Sequence, residues 1–286
     1  MNTRNKNTKK QRHGFIPCLL LLSGALFFFI MLVFPLAEVI YRSLKEGFAV
    51  YGSAITAKNT LSALKVTLIA MVLAVAVNTF FGLCASWLLT KFDFRGKQVL
   101  STLIDIPFSI SPVIAGLAYI MTFGRMGWAT PMIEKLNDLL GTDISLVFSV
   151  PGVVLATIFV TFPFVSRELI PVMQAQGSSE EEAAVMMGAK GFTVFRKVTF
   201  PHIRWALLYG VILCAARAFG EFGAVYAVSK ARGKTFTLPL EIDALYMAGS
   251  AESITQAFAV SSLLVLLSIL ILIVKQIVEY RGKREM

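Results

Sequence analysis

The chain has 286 residues, 56% of them hydrophobic and only 15% charged, with 23 Phe and a formal net charge of +10. That charge content is too low for a soluble domain of this length, and the long apolar runs make it an integral membrane protein. The basic excess does not argue for nucleic acid, because the Lys and Arg residues flank the apolar runs, as membrane topology demands.

In chain order, residues 1–14 form a basic polar tail carrying Arg4, Lys6, Lys9, Lys10 and Arg12. The first span is expected from about Phe15 to Ile40. It is too long for a signal-peptide core and lacks a small-x-small cleavage site after it, so it reads as an uncleaved span. A polar loop at 41–65 leads to a second span over Val66–Leu89, then a short basic loop at 91–98. The third span, Leu100–Phe123, contains Pro107 and Pro112. The loop at 124–145 holds the amphipathic segment MIEKLNDLL, expected at the membrane interface. The fourth span is Leu146–Val165, the fifth Trp205–Ala227, and the sixth, after a polar loop at 228–255, Gln256–Val278. The expected fold class is all-α, with six transmembrane helices. The chain divides into the tail at 1–14, a first helix and outside loop at 15–60, a core domain at 61–275 and a basic tail at 276–286. Counting segments of equal total length on each side, 17 Lys or Arg fall in the two tails and the loops on their side (1–14, 90–99, 166–204, 275–286) and nine in the opposite loops (41–65, 124–145, 228–255). That bias expects both termini in the cytoplasm.

Between spans four and five lies a polar island, SSEEEAAVMMGAKGFTVFRKVTFP at 178–201. Ser178 and Ser179 each precede a Glu by three residues, which suits a helix start. Ala183 to Met187 has high helix propensity, and Gly188 suits a left-handed turn at its end. Phe192, Phe195 and Val198 would share one face of a second short segment that Pro201 stops. The expectation is a helical hairpin lying outside the bilayer.

Three further stretches stand out within or beside the spans. In DIPFSISPVIAG, 105–116, two prolines five apart weaken the backbone ladder, and Ser109 and Ser111 add hydroxyls. This reads either as part of an anion pathway or as a kinked packing helix. In ARAFGEFGAV, 216–225, Arg217 and Glu221 are ionisable groups inside an apolar run, four apart and able to pair across one helix face. They read either as a pathway or gate segment or as a self-neutralised packing pair among small residues. In TFPFVSRELIPVM, 161–173, Arg167 and Glu168 read as charges at the membrane surface or as groups that orient the polar island.

The polar island resembles the cytoplasmic loop shared by ATP-binding-cassette importer permeases: Glu-Ala-Ala, three residues, Gly, nine residues, then Ile-x-Leu-Pro. Here it is Glu182-Ala183-Ala184, Gly188 and Val198-Thr199-Phe200-Pro201, with Val198 and Phe200 in place of Ile and Leu. The resemblance implies that this loop docks on a separate ATPase subunit. ARAFGEFGAV resembles a segment of sulfate and molybdate importer permeases, and the other two stretches are most similar to the W-type permeases of sulfate/thiosulfate importers. That resemblance, over roughly residues 60–275, implies a type I importer fold in the cell inner membrane. It also implies a T-type permease partner in a heterodimer, two copies of the ATPase and an external sulfate/thiosulfate-binding protein. ATP would be bound by the ATPase, with no cofactor in this chain.

Other chemistry finds little support. Cys18, Cys84 and Cys214 lie far apart in apolar runs, and His13 and His202 stand at opposite ends, so a metal site or disulfide framework is not expected. Gly233-Lys234-Thr235 lacks the earlier Gly of a phosphate-binding loop, since Val228 stands there. No nucleophile elbow or H-E-x-x-H is present, which argues against a membrane enzyme. An ion-driven secondary transporter would want charged residues at matched positions in two repeats, and only the Arg217–Glu221 pair offers any. Among oxyanions, molybdate or tungstate remains the alternative to sulfate.

Overall fold

The structure is a computed structural model that describes residues 15–142 and 145–285; the basic tail expected at 1–14 lies outside the described residues. No strand occurs among the described residues. In order, the helices are α1 (Phe15–Phe28), α2 (Phe34–Leu44), α3 (Phe48–Thr56), α4 (Lys58–Lys91), α5 (Lys97–Ser109), α6 (Pro112–Phe123), α7 (Thr130–Leu140) and α8 (Val150–Thr161). They continue as α9 (Pro163–Gln176), α10 (Ser179–Met186), α11 (Gly191–Val194), α12 (Phe200–Phe219), α13 (Gly223–Val228), α14 (Leu238–Met247) and α15 (Ala251–Glu285).

Among the described residues, five helical stretches are long and apolar enough to cross a membrane: Pro17–Leu44, Lys58–Lys91, Val150–Gln176, Gly191–Phe219 and Ala251–Gly282. The pair α5–α6, bent by 109°, supplies a sixth if it counts as one span. The bend replaces the single third helix expected over 100–123. It falls at Ile110–Ser111, directly before Pro112, which has no N–H to continue the ladder.

The helix α4 is the axis of the bundle. Its buried positions Ala70, Ala74, Asn78, Gly82 and Ser86 recur every four residues, so one stripe of small side chains faces the neighbouring helices. In lipid, such a stripe lets backbones approach closely and gain dispersion contacts. A Cβ on Gly82 would stand 2.9 Å from Val165 Cβ. Asn78, fully buried, donates its amide to the Ile158 carbonyl at 3.1 Å and to Thr161 Oγ1 at 2.8 Å, tying α4 to α8. Around α4 lie three apolar clusters. One joins it to α8, α13 and α14 through Val66, Ala70, Val153, Val225 and Leu240. A second joins it to α14 and α15 through Ala63, Leu238 and Val260. The third gathers Val165, Leu169, Met173 and Ile203 where α9 meets α12.

Several expected boundaries move. The fourth span runs over Val150–Gln176, not 146 to 165, and the sixth over Ala251–Gly282, not 256 to 278. The second span begins at Lys58, not Val66, because the polar residues of its first turns have tertiary partners: Ser62 Oγ donates to the Gly233 carbonyl at 2.6 Å, and Thr67 Oγ1 accepts from Leu238 N at 2.8 Å. The fifth span begins at Gly191 and ends at Phe219, not 205 to 227. Pro201 does not stop a helix; it occupies the first turn of α12. The preceding turn, Phe195–Thr199, is π-helical. That wider turn accommodates the proline ring and its missing N–H, so the helix runs through. The same arrangement, a π turn at Phe29–Val33, precedes Pro35.

Candidate functional site

The polar island forms a short hairpin at one end of the bundle. Its first arm is α10, which starts at Ser179 as the sequence expects. The reciprocal Ser–Glu cap is not formed, however: Ser178 Oγ donates to Glu182 Oε1 at 2.5 Å instead of accepting from the backbone. The other end matches the expectation. Gly188 has φ +84°, Ala189 N donates to the Ala184 carbonyl at 3.0 Å, and Gly188 N to the Val185 carbonyl at 2.8 Å. This pair of bonds is the Schellman motif, which satisfies the last carbonyls of α10 and requires a left-handed residue at Gly188.

Each glutamate of the triplet at 180–182 is held by its own chain. Glu180 Oε2 lies 2.9 Å from His202 Nε2. Glu181 Oε1 lies 3.0 Å from Lys91 Nζ and accepts from Thr199 Oγ1 at 2.7 Å. Glu182 is turned to Ser178. The C-terminal end of α10 and the turn after it present apolar side chains outward: Met186 is 88% exposed and Met187 83%, with Val185 also exposed and Phe192 exposed on α11. Ala184 is buried against the hairpin. Methionine packs on irregular partner surfaces with little loss, which suits a docking face. Phe192, Phe195 and Val198 do not share a face as expected. The π turn rotates the chain, so Phe195 stacks on Trp87 at 5.2 Å while Phe192 points away. Phe200 is exposed and Val198 half-buried. Beyond α4, the Lys97 ammonium beside Asp93 holds that carboxyl below its usual range.

The candidate pathway residues fall at two helix breaks. Ser109 and Ser111 sit exposed on either side of the α5–α6 bend. Arg217 and Glu221 pair, with Nη1 2.5 Å from Oε2. They do not pair across one helix face, because α12 ends at Phe219 and Glu221 lies in the break before α13. The small residues that suggested close packing, Gly220 and Gly223, are where the helix parts. Glu221 is 2% exposed, and its Oε1 accepts from Ala224 N at 2.8 Å, so the carboxylate closes the first turn of α13 while Arg217 neutralises it. The two breaks touch. A Cβ on Gly223 would lie 3.0 Å from Pro112 Cβ, and one on Gly116 2.7 Å from the Ala224 carbonyl. The serines share no hydrogen bond with Arg217 among the described residues. The space beside the breaks is a cavity of about 400 Å³ lined by Ile114, Tyr119, Leu155 and Phe159, too apolar to hold an anion by itself.

Besides the Glu181–Lys91 and Glu180–His202 pairs, sequence reading missed two further ion pairs between elements. Arg167 Nε lies 2.8 Å from Asp105 Oδ1, and its guanidinium stacks 4.1 Å over Phe108, so this charge fastens α9 to α5. Glu241, 1% exposed, receives Arg232 through both carboxylate oxygens at 2.7–3.1 Å, pinning the loop before α14. Neither pair has a local spacing that a sequence could advertise.

Residues 78–284 match the family model of the binding-protein-dependent transport system inner membrane component. The sulfate transport system permease protein CysW of Synechocystis sp. is 43% identical over 264 residues, covering 92% of this chain and 92% of that protein. The protein of the same name from Escherichia coli strain K12 is 44% identical over 254 residues, covering 88% and 84%. Among solved structures, a bacterial transporter involved in alginate import aligns with a TM-score of 0.74 at 15% identity, covering 94% of this chain and 95% of that one. The MetNI methionine transporter in an inward-facing conformation aligns with a TM-score of 0.54 at 20% identity, covering 77% and 94%. At those identities the structural likeness speaks for the fold alone.

Proposed function

Since the chain belongs to the binding-protein-dependent transport system inner membrane components, we propose that it is the W-type permease subunit of an ATP-driven sulfate/thiosulfate importer. It is a non-catalytic membrane subunit of the inner membrane, working with a binding protein and an ATPase. In this proposal it pairs with a T-type permease, two ATPase copies dock from the cytoplasm, where both termini also lie, and a sulfate/thiosulfate-binding protein delivers the anion from outside. The chain holds no cofactor of its own; ATP sits in the partner ATPase.

The observation that carries the coupling role is the division of α10 into a first turn anchored through Glu181 to Lys91 and Thr199 and an apolar end left uncovered. A helix fixed on one side and open on the other can accept a push from a docked partner and pass it to the spans. The docking set is Glu182, Ala183, Ala184, Gly188, Val198, Phe200 and Pro201. Within it, Gly188 shapes the turn, Pro201 starts α12, and Glu182 orders the helix start. The anion is proposed to pass beside the two touching helix breaks, where Ser109 and Ser111 offer hydroxyls and Arg217 a half-neutralised positive charge. The apolar lining beside the breaks supports a pathway completed by the second permease. Sulfate, as a tetrahedral dianion, is chosen because the relatives named above carry it in their names.

The test is uptake of labelled sulfate by vesicles holding the complete complex, with thiosulfate, molybdate and tungstate as competitors. Uptake should require both ATP and the binding protein. Met186→Asp, which places a charge on the docking face, should abolish recruitment of the ATPase. Uptake driven by a proton gradient without ATP, or full recruitment by Met186→Asp, would refute the reading.

A further inference from the structure

The ammonium of Lys91 closes the last turn of α4 and is itself enclosed. Its side chain is 9% exposed, against 16% for Glu181. Besides the Glu181 carboxylate at 3.0 Å, Nζ donates to the Gly177 carbonyl at 2.6 Å. With Thr199 Oγ1 on the same carboxylate oxygen, four segments meet at this point: the end of α4, the linker after α9, α10, and the π turn that leads into α12. Such a point matters because α10 is flanked by two glycine joints, Gly177 at φ +70° and Gly188 at φ +84°, and its other side-chain tie to the spans, Glu180 to His202, lies at the more exposed surface. A space of about 660 Å³ lies between α10 and the Trp87–Phe195 stack, so apolar packing does little to hold the helix against α4. The charged pair bridges that space in a setting too dry for full screening.

At the other end, α4 holds a different segment. Ser62 and Thr67 bind the Gly233 carbonyl and Leu238 N of the loop between α13 and α14. The helix that carries both attachments has 34 residues, and at 1.5 Å per residue Lys91 stands about 36 Å along it from Thr67 and about 44 Å from Ser62. It has neither Pro nor π turn within it, so it has no built-in hinge.

We propose that Lys91 and Glu181 form a latch that makes α10 and α4 move as one body, so that displacement of α10 reaches the loop at 229–237 through α4. This rests on the docking role proposed above for α10. Both are positioning residues that touch neither ATP nor the anion. Loss of the latch should leave docking and ATP hydrolysis in place while displacement is absorbed at Gly177 and Gly188, which separates it from a merely structural role.

The experiment uses the full complex in vesicles and measures ATPase recruitment, ATP hydrolysis and sulfate taken up per ATP. In Lys91→Gln and Glu181→Gln, recruitment and hydrolysis should stay within about twofold of the parent while uptake per ATP falls about tenfold, inside the usual range of coupling between sites. Lys91→Arg, which can still reach both acceptors, should remain within about threefold of the parent. In a background lacking the native cysteines, labelling of Lys234→Cys by an impermeant maleimide should respond to a non-hydrolysable ATP analogue, and Lys91→Gln should abolish that response. Unchanged uptake per ATP in both single variants overturns the latch, and so does a Lys91→Arg variant as impaired as Lys91→Gln. Should Lys91→Gln fail to assemble, Glu181→Gln decides: its amide oxygen can still accept from Thr199 Oγ1 while the charge pairing with Lys91 is lost, and a parental uptake per ATP would overturn the proposal. Failure of the docking role has a different signature, namely full recruitment by Met186→Asp.

Discussion

Replacing Gly188 tests the docking turn at its most sensitive point. The residue has φ +84°, and no atom lies within 4 Å of where its Cβ would be, so any penalty comes from the backbone and not from a clash. An ordinary L residue in the left-handed region costs about 1–2 kcal/mol, and a β-branched one more. If the turn opens instead, the Gly188 and Ala189 hydrogen bonds to Val185 and Ala184 are lost, at about 1 kcal/mol each. Gly188→Val should therefore cost about 2–3 kcal/mol by either route, or roughly 30- to 150-fold in affinity for the ATPase if docking must restore the turn. Gly188→Ala should cost about 1 kcal/mol, and Gly188→Asn a few tenths, since Asn tolerates the left-handed region. The assay is titration of the ATPase against the permease in lipid nanodiscs, with uptake measured in parallel. An order of Asn, Ala, Val in increasing loss supports the argument. Parental affinity for Gly188→Val, or a loss for Asn as large as for Val, would refute it, because the conformation at this residue would then not be what docking reads.

Two other outcomes are expected beyond those given with the proposals. Arg217→Ala leaves the Glu221 carboxylate buried without its counter-charge and should destabilise the permease by about 3–5 kcal/mol, read as a lower thermal midpoint in detergent. Adding Glu221→Gln should restore most of that stability, and if it also restores sulfate uptake, Arg217 serves packing and not the pathway. A cysteine at Lys190, exposed beside the docking turn, should be labelled by an impermeant maleimide only in inside-out vesicles; labelling on intact cells would place α10 on the wrong side for an ATPase.

Much of α10 could be read directly because its determinants are local. Gly188 and the run Ala183 to Met187 act within one or two turns, and the structure forms the turn where the sequence puts it. The pairing of Arg217 with Glu221 was likewise visible from spacing, although the geometry behind it was not: the two meet across a break, with Glu221 bonded to the next helix. Lys91 gave no signal, since it reads as one more basic residue at the end of a span, and its partner is 90 residues away. Pro201 misled because its effect on a helix depends on whether the turn before it can widen.

Composition and pattern by themselves determined that this chain is helical, crosses the membrane about six times and carries a hydrophilic hairpin between its fourth and fifth spans. Those features follow from hydrophobicity and short-range backbone preference, which act on neighbours along the chain. Only the tertiary structure decided where the helices break and which charges are spent inside the molecule. It also decided which face of α10 is left for a partner. These depend on groups brought together from distant segments: Gly223 against Pro112, Glu181 against Lys91 and Thr199, Ser62 against Gly233. In a medium without water, a polar group is satisfied by whatever protein atom packing brings near it, and sequence spacing does not encode that neighbour.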